Sequence, residues 1–487
     1  MIETEVLLLG SVNGTKRVLR SMSLGQLAYH LRTLDYQVQV VDFVPQMTDA
    51  QVFKLLDKFI SKSTRVVGYS TMGQEQHTAG ETRRFVEKIL PYIRKISPRI
   101  QVVGGGAASS FVTKRYPNRS VFDYVFYGYS ENTFANFLNF IFRKGPAPKF
   151  EKRNGNIIVR EQTQEEYDIK KNTHRWHERD CILPGESLPI EIARGCIFKC
   201  KFCAFPNIGK KKNEYVRSME LVEEELLDNY EKYKIINYNL TDDTFNDDPD
   251  KVRAFYEMTQ RLPFQINVTS FTRADLLWAH PETPELMAES GFVAAYFGIE
   301  SFNERAAMFV GKPWSFKHAQ DYLVKLRHDI WKKHVSFRCS MICGLPGDTR
   351  KDYLNWHRWY VDNEIPNWSW HPLTLQRNLG TASYTSSIDR DAEKYGYTWV
   401  TENGIPIWKY EETGMTWRDS VEYYSELEAL KQKYQVPTSF GLIEEANYCD
   451  LDPRKHNFIR NVDKDQVAIQ NARANKLETY IEKLLAL

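Results

Sequence analysis

Three cysteines fall within eight consecutive residues, Cys196-Ile197-Phe198-Lys199-Cys200-Lys201-Phe202-Cys203, directly after a β-like run at 188–193. Three thiolates in one loop can converge on a single soft metal site. Closed zinc sites and closed iron–sulfur clusters take four protein ligands, so three local ligands predict a 4Fe–4S cluster with one iron open to a small molecule. The alternative is a zinc knuckle with Cys181 as the fourth ligand, although zinc ligands usually come as two paired dyads.

The composition indicates a protein of two or three domains. The chain has 487 residues, of which 42% are hydrophobic, and a net charge of +2. Because no apolar run reaches the ~20 residues of a membrane span and the first residues lack a signal-peptide pattern, we expect a soluble cytoplasmic protein. Seven cysteines, three of them clustered, favour reduced thiols and a metal over disulfides. The small net charge argues against nucleic acid as a partner, and Lys210-Lys211-Lys212 is either a solvated loop or a contact for an anionic substrate.

Residues 1–145 alternate strand-like and helix-like patterns. Strand candidates are 5–9, 37–42, 65–70, 100–104 and 124–127, and helix candidates are 24–34, 49–61, 78–96 and 133–142. This alternation predicts a doubly wound, Rossmann-like parallel sheet that binds its ligand at the carboxyl ends of the strands. The loops there contain glycines, which let a backbone approach a ligand closely. Candidate ligand-binding residues in these loops are Gly10, Ser70, Thr71, Gly104, Gly105, Gly128 and Glu131.

The rest of the chain divides into three predicted parts. Residues 146–187 form a connector with an Asn154-Gly155 hairpin, and we interpret it as a strap between two domains. Residues 188–375 resume the β/α alternation with six strand candidates, which predicts a partial (β/α)6 barrel that is open on one side. Residues 376–487 form a mostly helical C-terminal domain. Seven of the eleven tryptophans lie between Trp356 and Trp417, either as an ordinary core or as a wall for substrate or cofactor.

Polar residues and glycines end the strand candidates of the second unit. They are Asp242 and Asp243, Ser270 with Arg273, Glu300 with Ser301, and Gly344 with Gly347. Side chains at the carboxyl ends of parallel strands are typical site residues, although each of these stretches also suits ordinary turn or cap chemistry. Cys339 and Cys343 lie in or beside the fifth strand, where buried cysteines usually act as small hydrophobic residues.

The cysteine spacing and its flanks, Arg194-Gly195 before it and Ala204-Phe205-Pro206 after it, resemble the radical S-adenosylmethionine (SAM) superfamily. The resemblance implies that SAM chelates the open iron and is cleaved to a 5′-deoxyadenosyl radical. It also implies roles for the strand-end residues, from the charges and hydrogen bonds that SAM offers. These are Asp242 and Asp243 at the amino group, Ser270 and Arg273 at the carboxylate, Glu300 and Ser301 at the ribose, and Gly344 and Gly347 behind the adenine. Cys343 is a catalytic candidate because some relatives use a second cysteine for hydrogen transfer.

Residues 1–145 resemble the cobalamin-binding domain that precedes the radical domain in many of these proteins. The family motif D-x-H-x-x-G supplies a histidine below cobalt, whereas the corresponding loop here reads Ser11-Val12-Asn13-Gly14-Thr15-Lys16-Arg17. Many fused members also lack that histidine, so the resemblance still implies cobalamin at the glycine loops. His77 suits a surface or capping role better than ligation. The alternative for this domain is a sheet that has kept its fold and lost its cofactor.

We therefore expect a cobalamin-dependent radical SAM methyltransferase that acts on an unactivated carbon of a small-molecule or peptide substrate. Its cofactors would be a 4Fe–4S cluster, SAM and cobalamin, and its reductant a protein such as flavodoxin or ferredoxin. One alternative is a radical SAM enzyme of ring formation, rearrangement or oxidation, with cobalamin non-methylating or absent. Another is a non-enzymatic metal-binding scaffold. A sulfur-inserting, tRNA-type enzyme fits less well, because that class carries three cysteines in its N-terminal domain and residues 1–180 contain none.

Overall fold

The computed structural model describes most of the chain, and all contacts below are between described residues. The described ranges are 3–10, 19–71, 79–106, 121–126, 128–153, 156–159, 167–203, 215–312, 315–332, 334–365, 367–375, 386–402, 404–433 and 462–487. Several predicted features lie outside them: residues 11–17 of the first loop, His77, the Asn154-Gly155 turn, Ala204-Phe205-Pro206 and Lys210-Lys211-Lys212. No helix in the described ranges is long and apolar enough to cross a membrane.

The first unit is a doubly wound sheet, as the alternation predicts. Its strands are β1 (Val6–Leu9), β2 (Val38–Val41), β3 (Val66–Ser70), β4 (Gln101–Gly105), β5 (Tyr124–Phe126), β6 (Phe150–Arg153) and β7 (Asn156–Val159). They are arranged in the order β2-β1-β3-β4-β5-β7-β6, and all neighbours are parallel except β6 and β7. The strand order reverses between β1 and β3, which is where such sheets bind their ligands.

Helices cover both faces of this sheet. They are α1 (Met22–Arg32), α2 (Asp49–Phe59), α3 (Ala79–Arg84), α4 (Leu90–Ile96) and α5 (Glu131–Ile141), with a π-helical turn (Phe85–Ile89) between α3 and α4. Leu24 of α1 and Phe137 of α5 pack on one face, while Leu55 of α2 and Ile93 of α4 pack on the other. The apolar strand residues are buried from both sides, which explains their nearly continuous hydrophobic sequence.

The second unit contains six parallel strands in sequence order. They are β8 (Leu188–Ile190), β9 (Asn237–Leu240), β10 (Asn267–Thr272), β11 (Phe292–Glu300), β12 (Ser336–Cys343) and β13 (Trp368–Pro372). The helices between them are α6 (Met219–Tyr233), α7 (Pro249–Arg261), α8 (Ala274–Ala279), α9 (Thr283–Glu289), α10 (Glu304–Val310), α11 (Phe316–Lys325) and α12 (Arg350–Asp362). Five parallel pairings join these strands, which confirms the predicted β/α order of the second unit.

The connector and the tail differ from the prediction in where they pack. The predicted hairpin is present, but β7 pairs with β5, so the hairpin extends the first sheet. The tail comprises α13 (Ser387–Arg390), β14 (Tyr397–Glu402), β15 (Ile405–Tyr410), α14 (Trp417–Lys433) and α15 (Val462–Ala486). Trp408 of β15 and Leu427 of α14 belong to the core of the second unit, whereas Tyr480 and Leu484 of α15 belong to the core of the first. The described parts of the tail therefore contribute apolar side chains to the cores of both units.

A buried arginine joins the first unit, the connector and α15. Arg20 donates to both carboxylate oxygens of Glu186 and lies 3.4 Å from Asp42 Oδ2. The Tyr480 hydroxyl accepts a hydrogen bond from the backbone N–H of Asp42 at 3.0 Å, and the guanidinium of Arg20 lies 4.8 Å from the centroid of the Tyr480 ring. Arg20, Asp42 and Glu186 are each at most 2% exposed, and their charges are compensated by one another, by the backbone carbonyls of Asp180 and Cys181, and by the backbone N–H groups of Ser21 and Leu183.

Candidate functional site

The cysteine loop follows β8 at the carboxyl edge of the second sheet. Cys196, Cys200 and Cys203 are unpaired by disulfides and partly exposed. The backbone N–H of Cys203 donates to the carbonyl of Cys200 at 3.0 Å, which gives this part of the loop a tight turn. The sulfur of Cys196 lies 3.5 Å from the hydroxyl of Thr244, which follows β9. Burial raises the pKa of the Cys196 thiol, and the hydrogen bond with Thr244 opposes that rise.

The loop fits a soft metal centre by its donors. Among the described residues, no three His, Cys, Asp or Glu side chains are already arranged to hold a metal ion. The argument for a metal centre at this loop therefore depends on the chemistry of its three thiols and of the residues around them. Three partly exposed thiols lie within one loop, and a guanidinium reaches them: Arg273 Nη1 lies 3.6 Å from the sulfur of Cys200. The positive charge of this guanidinium is complementary to the negative charge that three iron-bound sulfurs would carry.

Arg273 is fixed from three directions. Its Nε and Nη2 donate to the carboxylate of Asp275 at 3.0 and 2.6 Å, and its guanidinium lies over the ring of Phe198, 4.0 Å from the centroid. The side-chain amide of Asn246 bonds both the N–H and the C=O of Arg273 at 2.8 Å. Arg273 is only 5% exposed, so its position is set by the protein and not by solvent. The predicted carboxylate contact thus lies beside the cysteine loop.

The two aspartates after β9 have different surroundings. Asp242 is 1% exposed and accepts the backbone N–H groups of Ile192 and Ala193 at 3.0 and 2.9 Å. It also forms an ion pair with the buried Lys251 at 3.2 Å. Asp242 therefore holds the segment that leads into the cysteine loop, whereas the predicted role at the amino group of SAM requires an open acceptor. Asp243 is half-buried at the same strand end and suits that role better.

Ser270 lies within β10, two residues before its end, and Glu300 is the last residue of β11. Ser270 is 5% exposed and its hydroxyl donates to the carbonyl of Phe271 at 3.2 Å. Glu300 has a φ of +69°, which is strained for a residue with a side chain. Its carboxylate pairs with Lys312 at 2.9 Å, and Lys312 also bonds the carbonyl of Gly298. This buried pair holds Glu300 in a bulge of β11 at the carboxyl edge.

The Ser301 and Gly344–Gly347 segments form one packed corner. The Ser301 hydroxyl donates to Asp348 at 2.9 Å, and burial raises the pKa of Asp348 well above its usual range. Gly344 and Gly347 have φ values of +110° and +85°, which glycine adopts without strain. A Cβ at Gly344 would lie 2.7 Å from the ring of Trp408.

The tail supports this corner in a way that sequence reasoning missed. The Tyr397 hydroxyl donates to the carbonyl of Gly344 at 2.7 Å, and the Trp408 indole donates to the carbonyl of Leu373 at 2.7 Å. Both residues belong to the β14–β15 hairpin. Trp408 therefore takes the core role that was one of the two predicted for the tryptophan-rich region. The density of tryptophans in the sequence was the available signal, but it does not say which surface they cover.

Cys343 lies on the buried side of β12. It shares the face of Cys339 and Met341, and all three are fully buried in the core of the second unit. Burial raises the pKa of the Cys343 thiol well above its usual range. A group that transfers hydrogen must reach the substrate, and this thiol is covered by packed side chains. The placement favours packing, and the catalytic role of Cys343 stays a prediction.

The predicted ligand loops of the first unit meet at the carboxyl edge of its sheet. Gly10 ends β1, Ser70 and Thr71 end β3, and Gly104 and Gly105 end β4. A Cβ at Gly104 would lie 2.5 Å from the ring of Phe122, whereas the nearest described atom to a Cβ at Gly105 would belong to Phe126, at 4.0 Å. The continuations of these loops at 11–18, 72–78 and 107–120 lie outside the described residues. Gly105 therefore lies at the edge where a ligand of this fold binds, and no described residue crowds the position of its Cβ.

A buried charge network joins this edge to the cysteine loop. Arg194, two residues before Cys196, lies 2.6 Å from Glu131 at the start of α5, which follows Gly128. It also donates to Glu191 and to Gln26 of α1, both at 2.7 Å. Arg194 and Glu131 are each 7% exposed. Glu131, predicted as a ligand residue, thus takes part in holding the two units together. Arg194 is recognisable in the sequence as a flank of the cysteines, but no local pattern indicates that it pairs with Glu131.

A comparison with known protein families finds a match that lies within the second unit. Residues 190–360 match the model of the Radical SAM superfamily. An uncharacterized methyltransferase of Pyrococcus horikoshii is 27% identical over 164 residues, which is 34% of this chain and 34% of that protein. The match therefore spans about a third of that relative's length.

Two solved structures share the fold of nearly the whole chain. One is the radical S-adenosylmethionine methyltransferase TsrM from Kitasatospora setae, with tryptophan substrate and a SAM analogue bound, at 18% identity and a TM-score of 0.62 over 82% of this chain and 79% of that one. The other is the cobalamin-dependent S-adenosylmethionine radical enzyme OxsB with aqua-cobalamin and SAM bound, at 15% identity and a TM-score of 0.62 over 97% of this chain and 71% of that one. The family match identifies residues 190–360 as a radical SAM domain, and the two structures show that the chain shares the fold of TsrM and OxsB.

Proposed function

We propose that the protein is a cobalamin-dependent radical SAM methyltransferase that methylates an unactivated carbon. The observation that carries the proposal is the Arg194 network, which joins the cysteine loop to the glycine-rich edge of the first sheet. An enzyme that uses a cluster and a second cofactor in one reaction needs their binding edges at a fixed separation, because reacting groups must meet at near-contact distance. The cobalamin-dependent relatives of similar fold support the same interpretation.

The residues of this chain would hold three groups. Cys196, Cys200 and Cys203 would ligate the cluster, Arg273 would pair with the carboxylate of SAM, and the Gly10 and Gly105 edge would hold cobalamin. When bound, these groups would supply one-electron cleavage of SAM and a carrier for its methyl group.

We infer supporting tasks for the residues around these positions from their contacts. Asp242 holds the segment before the cysteine loop through two backbone N–H groups, so that the loop keeps its place relative to β9. The Lys312–Glu300 pair keeps the bulge of β11 at the carboxyl edge. The Tyr397 and Trp408 contacts fix the Gly344 turn that is proposed to back the adenine. A reductant such as flavodoxin or ferredoxin would supply the electron.

The test uses anaerobically purified protein with its cluster reconstituted. We expect about four irons per chain, SAM cleavage on reduction and saturable binding of hydroxocobalamin. Replacing Cys196, Cys200 and Cys203 together with alanine should remove both iron and SAM cleavage. The matched control is Cys181→Ala, since Cys181 packs in the core of the first unit; it should keep its iron.

Three outcomes would contradict parts of the proposal. Iron retained by the triple variant would overturn the cluster assignment, and metal lost from Cys181→Ala would favour the zinc alternative. No hydroxocobalamin binding at high micromolar concentration would overturn the methyltransferase and leave a radical SAM enzyme of another reaction. Transfer of the labelled methyl group of SAM to a product separates methylation from ring formation, rearrangement or oxidation.

A further inference from the structure

The two faces of the second sheet have opposite character. Alternate strand residues lie beneath the helices and are apolar and almost completely buried: Tyr238, Val268, Phe297, Met341 and Trp370. The residues between them form the other face, here called the inner face, which is mostly polar and consists of Asn239, Thr269, Phe271, Ala294, Tyr296, Arg338, Ser340, Ile342, Ser369 and His371. Sheets of parallel strands that are covered on both sides are apolar on both sides. The polar inner face therefore borders a space that admits polar molecules.

Side chains on the inner face are ordered by hydrogen bonds across the strands. The amide of Asn239 donates to the hydroxyl of Thr269 at 2.8 Å, and the hydroxyl of Ser369 lies 3.1 Å from His371 Nε2. His371 is exposed although it lies in a strand. Polar side chains that hold one another in place present a prepared surface to a ligand.

An aromatic pair and a cation form one row across this face. Phe271, Tyr296 and Arg338 are register partners on β10, β11 and β12. The rings of Phe271 and Tyr296 meet edge to face, with centroids 4.8 Å apart, and the guanidinium of Arg338 lies 5.4 Å from the centroid of Tyr296. Phe271 is 47% exposed in an interior strand of the sheet, where strand side chains are normally covered.

The row begins beside the cysteine loop. Phe271 is two residues before Arg273, which lies against Cys200. A flat apolar group on Phe271 and Tyr296 would therefore lie next to the proposed radical chemistry. An anionic group of the same molecule would lie at Arg338, on the strand two positions away, because a guanidinium pairs well with a carboxylate or a phosphate.

We propose that the inner face binds the substrate, and that the substrate is a small molecule with a flat apolar body and an anionic group. The apolar body contacts Phe271 and Tyr296, and the carboxylate or phosphate pairs with Arg338. This inference rests on the proposed function for its reaction, but the binding site can be tested without any turnover.

The probes are 2-naphthoate, 2-naphthyl phosphate and uncharged 2-naphthol, titrated by equilibrium dialysis against cluster-reconstituted protein without reductant. We expect both anions to bind more tightly than 2-naphthol, and the tighter of the two identifies carboxylate or phosphate as the preferred group. Arg338→Gln should weaken the anions by about tenfold or more and leave 2-naphthol unchanged, because only the charge-assisted contact is lost. Phe271→Ala should weaken all three probes.

Two control variants make comparable changes outside the inner face: the loss of an arginine charge and the loss of an exposed aromatic ring. Arg358 on α12 is exposed, and Trp278 on α8 is 48% exposed, close to the value of Phe271. Arg358→Gln and Trp278→Ala should leave all affinities unchanged, and Arg338→Lys should retain part of the anion affinity.

If Arg338→Gln and Arg358→Gln bind the anionic probes equally well, the anion contact at Arg338 is overturned. It is also overturned if Arg338→Lys loses as much anion affinity as Arg338→Gln. No binding of any probe at millimolar concentration would overturn the site. Since the titration uses neither SAM nor cobalamin, its failure is separate from a failure of the proposed function, which the hydroxocobalamin and SAM assays decide.

Discussion

Replacing Arg194 with methionine tests the link between the two units. Methionine keeps much of the apolar volume of the side chain but removes the cation that faces Glu131 at 2.6 Å and Glu191 at 2.7 Å. These two carboxylates are 7% and 9% exposed, so neither gains much water when the arginine is lost. Removing one partner of a buried ion pair costs about 3–5 kcal/mol, because a charge is left buried without compensation. We expect a loss of that size in the free energy of unfolding.

The assay is guanidinium denaturation followed by tryptophan fluorescence. The matched control is Arg305→Met, which breaks the Arg305–Glu412 pair, whose side chains are 58% and 50% exposed. Exposed pairs contribute little to stability, so the control should leave the midpoint unchanged. The double variant Arg194→Met with Glu131→Gln should recover part of the loss, since residues that share a network show coupling of about 0.5–3 kcal/mol.

A midpoint for Arg194→Met equal to that of Arg305→Met would refute the reasoning. So would a double variant whose loss is the sum of the two single losses, because additivity would mean that Arg194 and Glu131 act independently. Hydroxocobalamin titration of Arg194→Lys adds a functional readout. Lysine keeps the charge but not the forked geometry, so we expect weaker cobalamin binding with the cluster retained.

Three further predictions follow from single side chains. Gly105→Trp should block hydroxocobalamin binding with little effect on folding, whereas Gly104→Ala should destabilise the protein, since its Cβ would lie 2.5 Å from the Phe122 ring; equal cobalamin affinity in Gly105→Trp would contradict the first. Arg273→Ala should weaken SAM binding, measured by dialysis, by about tenfold or more while iron is retained; unchanged affinity would remove Arg273 from the SAM site. Burial lowers the pKa of His174 from 6.5 to about 3, so between pH 6.5 and pH 3 the unfolded chain binds a proton at this imidazole and the folded chain does not. The free energy of unfolding should therefore fall as the pH drops below 6.5, by up to ~1.4 kcal/mol per pH unit. His174→Phe should flatten that dependence and the exposed His328→Phe should not; identical pH curves for both would contradict the prediction.

Local patterns in the sequence predicted most of the two sheets. The five predicted strands of the first unit all form, with ends displaced by about one residue, because short apolar runs between helical patterns have few alternative structures. The hairpin also forms, but its membership of the first sheet depends on the pairing of β7 with β5, which no local pattern specifies. The same applies to α15: the bond from Asp42 N–H to the Tyr480 hydroxyl joins residues 438 positions apart.

The candidate site shows the same division between local and distant information. The cysteine loop is recognisable because its chemistry lies within eight residues. The place of Asp242 at a strand end could be predicted from the sequence, but its backbone partners at Ile192 and Ala193 could not. For Glu131, the partner Arg194 is 63 positions away in sequence and belongs to the other unit.

The register of the second sheet separates residues that can meet substrate from those that cannot. Successive side chains of a strand point to opposite faces, so Ser340 and Ile342 lie on the inner face while Met341 and Cys343 lie beneath the helices. For Cys343 to reach the inner face, β12 would have to shift by one residue, which would expose Met341 and bury Arg338. The apolar core under the helices and the polar row on the inner face both oppose that shift. A protein group that exchanges a proton with the substrate should likewise come from inner-face positions or from loops at the carboxyl edge, and the exposed His371 is the inner-face side chain best suited to that exchange.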